Sequence, residues 1–522
     1  MERKKVSLFL KKNIFLACCF LIFVSSVFLR LHRFSDKEDL FLDEYFSVIL
    51  ANNSERGWGK YIENDSAEFK GQDIRSWFLS KDNSLSQVLE DVDNLHRTTR
   101  DSPHTNLYYS FLRLSFLNAD TADLEQVMTR GFALNLFFFS LGFLFLLLMS
   151  LKLFDSKILV ICILAVSFLN PGSIANTMYI RPYQLQETLL ILYTYMFIVY
   201  YMMLGKDSGL FATWKNMLII ALVSALSLLS GYFSILYIFA LCVILLIRII
   251  AKSPRFVPFF IFSMLLCFVF VFFIYNGYLS GVFDYRGEEA MGKFSKEIFI
   301  ENWNDSVRGV SNEFRNYLGK PCYIYIFLGL LLFALVRRKA WSKHTNLTLG
   351  VSLCAFVWII LVMYSAPYKN IRYMLPMFPI FLLFVPATFS FYSKRIQLLL
   401  TIVALSWITV RAVKKEDIYI EYTPIDRTYV EERNIPLILG GINGWKQVFK
   451  MRYYTKDRTI EFAFDPATFL SKIEKYPESY AFIDADSAAQ YVFPDTTRYT
   501  FEEKKNPHRF IWYKLIKRDS IK

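Results

Sequence analysis

The sequence predicts an α-helical polytopic membrane protein with about 11 transmembrane helices, a large first outer loop and a small C-terminal α/β extracytoplasmic domain. Three observations carry this. Of 522 residues, 54% are hydrophobic and only 20% charged. The apolar residues stand in blocks of bilayer length rather than at strand or amphipathic-helix period. The polar residues gather instead into three long stretches, 32–129, 277–320 and 413–522. With 52 Phe and only 7 Cys, disordered, collagen-like and disulfide-scaffold classes are excluded.

Taken in order, the runs that match a span are 14–31, 130–150, 158–176, 184–204, 214–230, 232–250, 256–276, 321–336, 346–366, 371–390 and 396–412. The stretch 212–250 is too long for one crossing, and Ser230-Gly231-Tyr232 divides it into a hairpin. The first run follows a basic segment as a signal peptide would, but its long apolar core and the lack of a small-x-small site make it a retained anchor. Residues 104–117 form the ambiguous segment, amphipathic and bearing His104, Asn106 and Arg113. Excluding it places the N-terminus and every strongly basic connection on the cytoplasmic side. That side then holds 18 basic residues against Glu2, Asp155 and Asp207. The segment therefore reads as a helix lying in the outer interface with its polar edge wet.

The positive-inside pattern also explains the formal charge of +13, which in a soluble protein would suggest nucleic acid. Here it is an orientation signal, and no nucleic-acid partner is expected. The first polar stretch carries 10 basic and 18 acidic residues, a net of −8. The tail alternates strand-like IPLILGG (435–441), TIEFAF (459–464) and SYAFIDAD (479–486) with helix-like GWKQVFKMRYY (444–454) and DPATFLSKIEKY (465–476), an order that suggests α/β. Residues 1–412 would form the membrane module and 413–522 the separate domain.

Ionisable groups at membrane helix ends cost energy unless used or paired, so four outer clusters are candidates. Asp43-Glu44 follows the first span, and adjacent carboxylates beside an apolar helix suit a general base. The plain alternative is an acidic helix N-terminus. Residues 101–113, DSPHTNLYYSFLR, offer His104 to a phosphate or sugar hydroxyl and Tyr108 and Tyr109 as stacking rings, or simply an interfacial anchor. Arg181-Pro182-Tyr183 sits at the mouth of two spans, where a guanidinium would bind phosphate bidentately or snorkel to headgroups. Lys369 and Arg372 break the positive-inside tendency and add cationic groups at the same face. Together these suggest a site for an anionic lipid headgroup facing a carboxylate pair.

In this order, the clusters resemble the GT-C class of membrane glycosyltransferases. The closest subgroup is the bacterial RgtA/B/C/D-like domain family, related to protein O-mannosyltransferases and lipid A aminoarabinose transferase. Its members carry an Asp-Glu, a His-Pro-Pro-Leu-Tyr-Tyr-like helix, an Arg-Pro-Tyr-like motif and a late Arg-Tyr-x-x-Pro segment. Here those are Asp43-Glu44, His104 to Tyr109, Arg181-Pro182-Tyr183, and Arg372-Tyr373 with Pro376 and Pro379. The chain departs at Thr105-Asn106, where the family has Pro-Pro.

The resemblance implies a polyprenyl-phosphate-sugar donor and an envelope glycan, lipid or protein acceptor, at a bacterial inner membrane. Asp43, helped by Glu44, would be the catalytic base. Arg181, Arg372 and Lys369 would bind the donor phosphate, and His104, Tyr108, Tyr109 and Tyr183 the substrate. The reaction would be a direct displacement that inverts the anomeric centre. No metal site is legible, although Asp43, Glu44 and other loop carboxylates are groups that can recruit a divalent cation. The alternatives are a lipid-linked polysaccharide polymerase or ligase, and a flippase or transporter. A transporter would place charges at mid-membrane, where Glu187 is almost alone.

Overall fold

Seven helices among the described residues are long and apolar enough to cross a bilayer: Asn13–Phe34, Leu124–Leu153, Ser234–Lys252, Pro254–Ile274, His344–Ser365, Ile371–Phe389 and Lys394–Val413. The computed structural model describes residues 2–52, 61–64, 67–97, 99, 104–204, 214–295, 298–318, 343–366, 369–413, 431–448, 451–491, 497–504 and 510–518. The seven helices turn large apolar side chains outward, among them Phe20, Phe239, Phe273 and Leu399, each at least 60% exposed. Such faces are stable only against lipid. The chain is a multi-pass membrane protein.

The expected count of about 11 is not reached by length and apolarity alone, and the differences have local causes. The run 158–176 is two helices, Lys157–Phe168 and Pro171–Met178, bent by 54°. Pro171 cannot donate into the preceding turn. Asn170 caps the second piece instead, its side-chain oxygen accepting from the Ser173 amide at 2.7 Å. Counted as one span, this pair makes eight. The helix Tyr183–Met203 carries Gln184, Gln186 and Glu187, and Trp214–Leu228 has only 15 residues. The run 371–390 does count as a span, but it is helical in short pieces, Ile371–Tyr373, Leu375–Met377, Phe378–Phe381 and Phe384–Phe389, with Pro376, Pro379 and Pro386 within them. The expected span 321–336 lies outside the described residues.

The chain divides into two compact units. The first comprises 1–36, 96–108 and 132–420 and holds all seven long apolar helices except the first residues of Leu124–Leu153. The second comprises 37–95, 109–131 and 421–522.

Within the second unit lies a six-stranded mixed sheet. Its strands are β1 (Glu68–Lys70), β2 (Leu437–Gly440), β3 (Thr459–Ala463), β4 (Glu478–Asp484), β5 (Tyr499–Lys504) and β6 (Phe510–Lys517), in the order β1-β3-β2-β4-β6-β5. β2 pairs in parallel with both β3 and β4, and the other pairings are antiparallel. The helix Pro466–Lys475 covers one face, where Phe469 and Ile473 pack on Ile438, Ala463, Ala481 and Ile483. The opposite face has an aromatic cluster in which Trp512 meets Phe482 edge-on at 5.2 Å and lies 6.0 Å from Tyr453. The segment 444–454 is not the expected helix but two short 3-10 turns, Gly444–Val448 and Met451–Tyr453.

This domain is not built from the tail alone. β1 comes from the first polar stretch and pairs antiparallel with β3. Gln447 clamps the same stretch, its side-chain amide bonding both ways with the Ile62 backbone at 2.7 and 2.8 Å. Gly71 lies so close to the tail that a Cβ there would stand 2.1 Å from the Thr455 carbonyl oxygen.

Residues 104–117 contain a helix, Leu107–Ser115. Its polar edge is not wet. Arg113 is fully buried, donating to Asp91 at 2.8 Å and to the Asp82 carbonyl at 2.6 Å. Burial pulls its pKa down and the Asp91 carboxylate opposes that. The pairing ties this helix to Leu85–Arg97, as buried charges require.

Candidate active site

In the first unit, a turn at Tyr179–Pro182 joins the helix Pro171–Met178 to Tyr183–Met203. It is closed by the Arg181 amide on the Tyr179 carbonyl at 2.7 Å. Pro182, with no amide to satisfy, stands at the start of the second helix. Arg181 thereby projects from the end of a rigid element, and its Nη2 is 2.6 Å from His104 Nε2. A guanidinium can only donate, so this ring nitrogen accepts and the imidazole carries its proton on Nδ1.

Arg372 reaches the same turn from the other end of the chain. It lies in the 3-10 turn Ile371–Tyr373, capped by the Asn370 side chain on the Arg372 amide at 3.0 Å. Its Nη1 donates to the Tyr179 hydroxyl at 3.0 Å, and its guanidinium stands 5.2 Å from the Tyr373 ring centre. Tyr179 stacks on Tyr183 at 6.1 Å, and Tyr183 meets Tyr373 edge-on at 5.9 Å. Beneath them, Asn135 donates to the Tyr179 carbonyl at 2.8 Å and accepts from the Tyr108 hydroxyl at 3.2 Å. The sequence motifs of His104, Tyr108, Arg181, Tyr183 and Arg372 thus share one tyrosine frame. Two guanidiniums on such a frame are suited to a phosphate, which takes parallel N–H donors.

Lys369 has different partners. Its ammonium donates to the carbonyls of Met363 and Tyr364, at the end of the helix Lys343–Ser365, while Lys293 donates to Ala366 at 2.6 Å. Cations at a helix C-terminus complement its dipole. Burial, with the Lys293 charge adding to it and Asp305 opposing, pushes the Lys369 pKa down to about 8. Tyr108 and Tyr109 are both buried, 1% and 0% exposed, so neither ring offers a stacking face.

Asp43 and Glu44 open the helix Leu42–Asn52 of the second unit. The two carboxylates differ in surroundings. Glu44 is fully buried, bonded to Lys37 Nζ at 2.5 Å and to the Phe41 amide at 2.7 Å, so it serves as an anchor and a cap. Asp43 is half-buried. Tyr45 next to them is fully buried and bonded to Asp39, and burial followed by the Asp39 charge raises its pKa well above the ordinary value. Among the described residues, no three His, Cys, Asp or Glu side chains come together as a metal site would need.

No family model and no curated protein sequence matches this chain. Solved structures do. ArnT from Cupriavidus metallidurans, bound to undecaprenyl phosphate, is similar with a TM-score of 0.47 at 9% identity, over 96% of this chain and 97% of that one. Its apo state gives 0.48 at 8% identity, over 97% and 98%. The archaeal oligosaccharyltransferase AglB from Archaeoglobus fulgidus, in complex with an inhibitory peptide and a dolichol-phosphate, gives 0.44 at 10% identity, over 96% and 74%.

Sequence reading missed a polar network behind the tyrosine frame. Arg30 in the first helix is fully buried and donates to Thr177 at 2.9 Å, Ser173 at 2.6 Å and the Phe168 carbonyl at 3.0 Å. Thr177 passes the chain to Gln184 at 2.8 Å, and Gln184 and Asn176 donate to Glu187 at 3.0 and 3.1 Å. The network braces both helices that flank the Arg181 turn. Its signal in the sequence was Arg30 and Glu187 inside apolar runs, where unpaired charge is not tolerated.

Proposed function

We propose that this protein is a GT-C-type membrane glycosyltransferase that moves a sugar from a polyprenyl-phosphate donor to a cell-envelope acceptor. The observation that carries the reading is the meeting of Arg181 and Arg372 on one tyrosine frame, from motifs far apart in the sequence. Their guanidiniums bind the donor phosphate and His104 holds Arg181 in place. An acceptor hydroxyl attacks the anomeric carbon, and its proton goes to Asp43. The bond from that carbon to the phosphate oxygen breaks, and the lipid phosphate leaves with the electron pair. Negative charge grows on the phosphate as the bond lengthens, so donors fixed beside it stabilise the transition state more than the ground state. One displacement of this kind inverts the anomeric centre. Glu44, tied to Lys37, holds the helix that presents Asp43.

The test uses the full chain in lipid nanodiscs, with undecaprenyl phosphate retention read by native mass spectrometry and sugar transfer by product analysis. Arg181→Ala with Arg372→Ala should weaken lipid-phosphate retention at least tenfold. Asp43→Asn should keep retention but lower transfer by about 10²–10⁴-fold. Undiminished retention in the double variant overturns the phosphate role, and full transfer by Asp43→Asn removes that residue from the chemistry.

A further inference from the structure

Three strand ends meet at one edge of the second unit. β3, β2 and β4 lie parallel and adjacent, so Ala463, Gly440 and Ile483 finish together. From β2 the chain goes first to one neighbour and then to the other, and at such a switch point an open sheet leaves a crevice for a ligand. Glycines shape the turn there. Gly441 and Gly444 have φ of +67° and +57°, and a Cβ on Gly441 would come within 3.2 Å of Ser487 in the turn after β4.

Polar and aromatic side chains converge on this edge. Asn443 is exposed and Trp445 half-exposed. The Lys446 ammonium lies 6.0 Å from the Trp445 ring centre, pairs with Asp484, and is 3.5 Å from Asp486. Asp484 is 1% exposed. Its Oδ2 accepts from Lys446 and from the Ser487 hydroxyl at 3.4 Å, whereas its buried Oδ1 has no donor among the described residues. Asp484 thereby fixes Lys446 at this edge from below, and leaves the exposed Asp486 as the carboxylate that a ligand can reach.

The charges restrict the ligand. The neighbouring helix N-terminus is closed by Asp465, which accepts from the Ala467 and Thr468 amides at 2.9 and 3.0 Å. Among the described residues, Asp465, Asp484 and Asp486 outnumber Lys446, which disfavours an anion. An indole face next to carboxylate acceptors and an amide suits a neutral, hydroxyl-rich ring with one apolar face. We infer that the carboxyl edge of β2 and β4 is a carbohydrate-binding subsite. Trp445 is the platform, Asp486 accepts from sugar hydroxyls, Asn443 and Lys446 donate, and the buried Asp484 positions Lys446.

This subsite goes beyond the transfer reaction and does not depend on it. The full-length protein in nanodiscs should show saturation-transfer NMR signals from maltotriose or triacetylchitotriose at millimolar concentration. Trp445→Ala should weaken that binding at least tenfold with the melting temperature unchanged, and Asp486→Ala severalfold. Two results overturn the assignment: no binding of either sugar by the unaltered protein, or equal binding by Trp445→Ala. A response to calcium chloride alone, without sugar, also overturns it in favour of a cation site. Donor-phosphate retention, read on the same samples, reports separately on the glycosyltransferase reading.

Discussion

Adjacent residues on a helix point about 100° apart, so a carboxylate pair in sequence need not be a pair in space. Asp43 and Glu44 illustrate this. Glu44 turns inward to a buried Lys37, and Asp43 stays at the half-buried edge. Lys37 was not legible as the partner, because the fold-back at 36–40 that delivers it has no periodic signal. The different surroundings predict different failures. Glu44→Gln strands a buried ammonium and should cost about 3–5 kcal/mol of stability. Asp43→Asn, at a partly wet position, should cost about 0.5 kcal/mol or less. Thermal unfolding of both variants, followed alongside sugar transfer, separates the roles. A Glu44→Gln protein as stable as the parent yet inactive would make Glu44 a reacting group and not an anchor.

At the scale of elements, apolar runs were readable wherever length alone decides, as in Leu124–Leu153 or Lys394–Val413. Runs interrupted by Pro were readable as apolar but not in shape. The Asn170-Pro171 dipeptide was a turn signal inside an expected span, and it marks the bend. The part of the site on short-range motifs, Arg181-Pro182-Tyr183 and Arg372-Tyr373, was legible. Its assembly onto Tyr179 and Asn135 was not, since neither belongs to a motif. Least legible was β1: three polar-flanked residues carry no strand pattern, and their pairing with β3 is set by a partner almost 400 positions away. That pairing depends on Gly71, where the backbones leave no room for a side chain. Gly71→Ala should therefore cost about 1–3 kcal/mol or more, as overpacking does. Amide exchange should quicken first in β1 and β3, with Lys394–Val413 unchanged. Unaltered protection of β3 would show that β1 docks independently of Gly71.

For the whole molecule, the second unit constrains the path of the chain through the bilayer. Its segments 37–95, 109–131 and 421–522 fold together, which predicts that all three stand on one side of the membrane. On that expectation the crossings between 132 and 420 are even in number, and the described helix before 120 is not one of them. A nine-residue helix, Leu107–Ser115, rises only about 14 Å at 1.5 Å per residue, too little for a hydrocarbon core of about 30 Å. Ten apolar runs lie between 130 and 412, and crossing by all ten is the expected even number. The positive-inside tendency then gives the expected hand, with the basic clusters at 152–157, 248–255 and 337–343 on the cytoplasmic side. Alkaline phosphatase, active only outside, and green fluorescent protein, fluorescent only inside, can be fused after residues 120, 318 and 343. The phosphatase should be active at 120 and 318, and the fluorescent protein should light only at 343. Matching signals at 318 and 343 would remove a crossing and break the expected parity.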